Sequence, residues 1–105
     1  MNKIDRNKKS DDLYEAILTL RSVEECKKFF EDLCSITELQ AIEQRFNVAL
    51  RLDRGMSYND ILQETGASSA TISRVNRSLR YGSGGFNMAF DRLGPTELDR
   101  KEKED

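Results

Sequence analysis

Residues 56–79 read MSYNDILQETGASSATISRVNRSL, and the parsing of this stretch decides the fold. Ser57 stands just ahead of a short apolar-periodic run, Tyr58 to about Glu64, where a serine hydroxyl can accept from a backbone N–H of the first helical turn. Gly66 follows that run, and glycine takes the left-handed conformation that a sharp bend between two helices requires. Ser68 or Ser69 then caps a second helix reaching about Arg80. Ile61, Leu62, Ala67, Ile72, Val75 and Leu79 form one narrow apolar stripe shared by the two helices. Short helix, glycine bend and short helix over one stripe are the layout of a helix-turn-helix, here at 57–80.

The opposite side of the second helix carries Ser69, Ala70, Ser73, Asn76, Arg77 and Arg80, with Ser68 and Thr71 beside its start. Small polar residues near the amino-terminal end suit a helix that enters the major groove, and arginines further along can reach phosphates. Arg54, just before the motif, is expected to add a phosphate contact.

Working outward, capping chemistry marks further helices. Ser10 with Asp11 and Asp12 starts one that carries Leu13 and Ile17 and runs to about Leu20. Ser22-Val-Glu-Glu25 reads as a capping box for a second helix with Cys26, Phe29, Phe30 and Leu33. Thr37-Glu-Leu-Gln40 reads as another, opening a long helix with Leu39, Ile42, Phe46, Ala49 and Leu50 on one side and Gly55 at its end. After GSGG at 82–85, Phe86, Ala89, Phe90 and Leu93 make a last amphipathic stretch, too short to hold unless it docks. Strand signals are absent, so the expected fold class is all-α. The expected organisation is a basic segment over 1–9, one helical domain over 10–93 and a charged, frayed tail over 94–105.

The net charge of -2 hides a strong asymmetry. Residues 10–44 hold nine acidic residues against three basic ones, whereas residues 45–80 hold six arginines against Asp53, Asp60 and Glu64. That asymmetry, and not the bulk charge, bears on a polyanionic partner. No run approaches the ~20 apolar residues of a membrane span, so a cytoplasmic address is expected. Cys26 and Cys34, eight apart, match no zinc or redox spacing, and the chain has no histidine. They are expected as reduced thiols on one helix face with Phe29, Phe30 and Leu33. The paired acids Asp11/Asp12 and Glu24/Glu25 diverge by about 100° on a helix and cannot share a proton. GSGG lacks the strand, lysine and hydroxyl of a phosphate loop and is expected as a linker. No catalytic apparatus, metal or cofactor is expected.

The stretch GASSATISRVNRSLR, preceded by RLDRGMSYNDILQE, resembles the tryptophan repressor superfamily, in particular its YerC/YecD branch. The resemblance covers about residues 12–93 and is most specific over 45–80. It implies an all-helical homodimer with interlocked amino-terminal helices and a helix-turn-helix head at each end. It places groove-reading positions on Ser69, Ala70 and Ser73, with support from Asn59, and puts two ligand-flanking arginines on Arg45 and Arg74. The chain departs from the repressor at Val75, where the repressor has glycine; a branched side chain there crowds the place of an indole ring and argues against tryptophan as corepressor. The repressor's basic residues on the first helix of the motif are also replaced, by Asn59 and Leu62.

The sequence thus predicts a sequence-specific, DNA-binding transcriptional regulator whose two recognition helices lie about 34 Å apart on a near-palindromic operator. Two alternatives stand beside it: a dimeric protein-interaction module that presents its acidic 10–44 region, and a regulator that needs a small anionic effector at Arg45 and Arg74.

Overall fold

A computed structural model describes residues 10–104, with side chains through residue 101; the basic segment over 1–9 lies outside the described residues. In chain order the helices are α1 (Asp12–Leu18), α2 (Val23–Leu33), α3 (Ile36–Asp53), α4 (Tyr58–Thr65), α5 (Ser69–Tyr81), α6 (Gly85–Leu93) and α7 (Glu97–Glu104), with no strand among the described residues. The described residues group into two compact units, divided between Leu39 and Gln40, where the sequence reading expects one helical domain over 10–93.

In the first unit, α1 and α2 contain no buried residue. Ser10 does support α1, its Oγ accepting from the Asp12 amide at 3.1 Å, although the helix stops at Leu18. Ser22 caps α2 as its sequence suggests, accepting from the Glu25 amide at 3.1 Å, but Glu25 accepts from the Arg21 amide and not from that of Ser22. The reciprocal box of the long helix sits two residues earlier than Thr37 suggests. Ser35 Oγ accepts from the Glu38 amide, and Glu38 Oε1 accepts from the Ser35 amide at 2.9 Å. The Ser35 amide first, and the Ser35 hydroxyl after it, hold the Glu38 carboxyl below the usual carboxylate range. Cys34 is the extended C-cap of α2, so the two free thiols do not share one helix face.

In the second unit all ten apolar residues that are buried among the described residues are found, among them Val48, Ala49, Leu50 and Leu52 from the end of α3, Ile61 from α4, and Ile72, Val75 and Leu79 from α5. The end of α3 is buried on nearly every side, which is why Val48 and Leu52, outside the stripe read from the sequence, join the core. α6 finds its dock through Phe90, which packs edge-on against Phe46 and stacks on Phe86. The tail is not frayed: α7 lays Leu98 against the core and is fixed at its start by Asp99. One Asp99 oxygen accepts from the Thr96 amide and hydroxyl; the other accepts from Arg54 Nε at 2.8 Å.

Candidate nucleic-acid interface

The turn of the motif is built from four consecutive residues. Gly66 adopts φ +71° and donates its amide to the Leu62 carbonyl, ending α4. Thr65 accepts from the Ala67 amide while its hydroxyl donates to the Ile61 carbonyl at 2.7 Å, satisfying a donor the bend would otherwise strand. Ser68 then accepts from the Thr71 amide at 3.1 Å and opens α5. Sequence reading missed Thr65, although a threonine beside a C-capping glycine is a hydroxyl placed to serve both sides of a turn.

Ala67, Ile61, Ile72, Val75 and Leu79 are buried where the two helices meet, as the stripe requires; Leu62 is not, being 42% exposed. The reason is angular: Ile61 already points inward from the two-turn α4, and its neighbour is rotated about 100° away. α4 is tied to α3 by Gln44, which donates to the Thr65 carbonyl, and by the Arg51–Glu64 ion pair at 3.1 Å.

With its apolar side turned inward, α5 exposes Ser69, Ala70, Ser73, Arg74, Arg77 and Arg80, and half-buries Thr71 and Asn76. Asn59 is exposed on α4. Ser68 and Thr71 are occupied locally, since the Ser68 hydroxyl serves the cap and bonds Thr71 Oγ1. From Ser69 to Tyr81, α5 contains no acidic residue. Among the described residues none of Arg74, Arg77 and Arg80 has an acidic partner; Arg80 Nε donates to Asn76 Oδ1 at 3.3 Å.

Arg54 differs from its sequence expectation. It is ion-paired to Asp99 and Asp53, its Nη2 reaches the Gly94 carbonyl, and its guanidinium stands 6.0 Å from the Phe90 ring centroid. Asp99 above all raises the Arg54 pKa, and Arg54 in turn holds the Asp99 carboxyl at about 2. Arg54 is thereby a clasp between the end of α3 and α7, and its donors are already engaged where a phosphate contact would need them. No sequence signal linked residues 45 positions apart.

Arg45 and Arg74 do come together. With Ile42, Phe46, Val75, Ser78 and Phe86 they line a cleft of about 350 Å³. Arg45 Nε bonds its own helix at the Ala41 carbonyl. Val75 is 4% exposed, so the cleft's α5 wall is filled by a core residue.

The fold and this surface define an all-helical protein with a helix-turn-helix whose second helix presents serines and arginines. The chain belongs to the Trp repressor family, whose sequence profile matches residues 8–94. It lies close to the YerC branch. It is 49% identical to the uncharacterized protein YerC of Bacillus subtilis (strain 168) over 98 residues, 93% of this chain and 94% of that one. The fold is similar to that of a TrpR-like protein from Eubacterium eligens ATCC 27750 (TM-score 0.78, 50% identity, 83% of this chain and 90% of the other). It is also similar to the crystal structure of a candidate Trp repressor from Staphylococcus aureus (TM-score 0.76, 51% identity, 79% and 83%).

Proposed function

We propose that this protein is a cytoplasmic, homodimeric transcriptional regulator that binds operator DNA through α5. The observation that carries the reading is the contrast between two sets of arginines. Arg51 and Arg54 spend their charge on Glu64, Asp53 and Asp99, while Arg74, Arg77 and Arg80 stand on a helix with no acid and no ion pair among the described residues. A row of unpaired guanidiniums beside Ser69, Ala70 and Ser73 suits phosphates at the rim of a groove whose base edges the small residues can approach. The half-buried Asn76 and exposed Asn59 extend the same surface.

Dimerisation is supported by the exposed apolar side chains of the first unit, among them Leu18 at 84% and Ile36 at 78%, which a lone chain leaves in water. The relatives' family carries the same expectation. The test is selection of bound DNA from a random pool, followed by gel shift at several salt concentrations. A near-palindromic consensus and a steep loss of affinity with salt are expected; retention of no sequence above background would refute the reading.

A second reading adds an effector. The cleft between Arg45 and Arg74 combines two cations with the apolar walls of Ile42, Phe46 and Phe86, a setting for a small anion with an apolar body. Operator binding by the purified protein with nothing added would remove the need for it.

A further inference from the structure

We infer that Tyr81, at the end of α5, is a further DNA-contacting residue, donating its phenolic O–H to a backbone phosphate; this rests on the reading of α5 as the DNA-binding helix. Tyr81 is 85% exposed, the most exposed large side chain with apolar character in the described chain, and it stands directly after Arg80.

Two geometric arguments assign its role. The first is angular. Ile72, Val75 and Leu79 fix the inward direction of α5. At about 100° per residue, Tyr81 then stands within about 20° of Ala70 and about 40° of Arg77, near the middle of the outward side. The aromatic ring thus continues the line Ala70–Ser73–Arg77 and does not turn back toward the core. The second is axial. Tyr81 lies about 18 Å along the helix from Ser69 at 1.5 Å per residue, whereas the major groove is about 8.5 Å deep. A helix that enters by its serine-bearing end therefore leaves Arg77, Arg80 and Tyr81 at the height of the phosphates, out of reach of base edges. A tyrosine there offers a neutral hydrogen-bond donor at the tip of a rigid side chain with only two rotatable torsions, and phosphate oxygens accept such bonds.

Because the donor is neutral, its signature differs from that of the neighbouring arginines: it contributes affinity without releasing a counterion. The experiment compares wild type, Tyr81→Phe, Tyr81→Ala and Arg77→Ala on the selected operator and on unrelated duplexes across a salt series. Circular dichroism checks that each variant keeps its helices. Tyr81→Phe is expected to bind all duplexes roughly three- to tenfold more weakly, the worth of one hydrogen bond, with an unchanged salt slope. Arg77→Ala should instead reduce the slope by about one. Wild-type affinity from Tyr81→Phe overturns the inference, including the case in which only Tyr81→Ala weakens binding, which would make the ring and not the hydroxyl the contact. A changed base preference in Tyr81→Phe overturns it as well. Failure of the wild type to bind any duplex refutes the DNA-binding reading itself, a result separate from either of these.

Discussion

Arg54 and Arg77 are the same side chain in opposite surroundings, and the proposed DNA contact of Arg77 follows from that difference. Arg54 meets two carboxylates, a carbonyl and an aromatic face; Arg77 meets solvent. Arg77→Ala should therefore lower affinity for all DNA sequences alike, whereas Ser69→Ala and Ser73→Ala should change which sequences are preferred. Binding isotherms on a panel of operator variants check this, and equal losses on every duplex from all three changes would contradict it. Asp99 carries the complementary prediction about stability. Its folded pKa of about 2 lies below the ~3.9 of an unfolded aspartate, so its contribution is fully present above the unfolded value and is lost as pH falls toward the folded one. Asp99→Asn should have a lower Tm than wild type at pH 7, and the gap should close as the melts are taken from about pH 4 down to pH 2. A gap that stays constant over that range would show that the carboxylate's charge is not what Arg54 uses.

At the scale of single elements, α4 and α5 show what a sequence exposes and what it conceals. The motif was legible because each feature is local: a serine cap, a glycine with φ +71°, a second serine cap and an apolar spacing of three and four. The misplaced capping box has a local cause too. Ser35-Ile-Thr-Glu38 and Thr37-Glu-Leu-Gln40 both satisfy the pattern, and Glu38 pairs with Ser35, two residues upstream of Thr37. Arg54 and the tail depart from their sequence expectations for a different reason. Their pairing spans 45 positions, and a charged segment reads as frayed until a distant partner neutralises it. Adjacent residues of α4 turn the burial pattern into a measurement. Ile61 is fully buried and Leu62 is 42% exposed. Ile61→Ala should cost about 2–5 kcal/mol in chemical denaturation, and Leu62→Ala well under that, near 1 kcal/mol or less. Similar costs at the two positions would mean that the bend at Gly66 sets α4 in another rotation.

At the scale of the whole molecule, the distribution of burial separates folding of the head from assembly. Among the described residues every buried apolar one falls between Val48 and Phe90, while Leu18, Val23 and Ile36 remain more than two-thirds exposed. Burying such side chains is worth about 1.5–3 kcal/mol each, so an assembly that covers them on both copies gains enough to offset much of the entropy lost on association. Leu18→Glu with Ile36→Glu should therefore give a monomer in sedimentation equilibrium without unfolding the helix-turn-helix, whose core those residues do not enter. The consequence for DNA is specific. In the proposed dimer two joined heads would reach half-sites about 34 Å, or ten base pairs, apart, and joining would make the second contact effectively intramolecular. The monomeric variant should keep the wild-type affinity for an isolated half-site and lose the large advantage of the full operator. Inserting five base pairs between half-sites, which turns the second groove to the opposite side of the duplex, should cost the wild type that same advantage and leave the monomer indifferent. If the double variant stays dimeric, the exposed leucine and isoleucine do not form the interface; if the insertion has no effect on wild type, the two heads do not read one operator together.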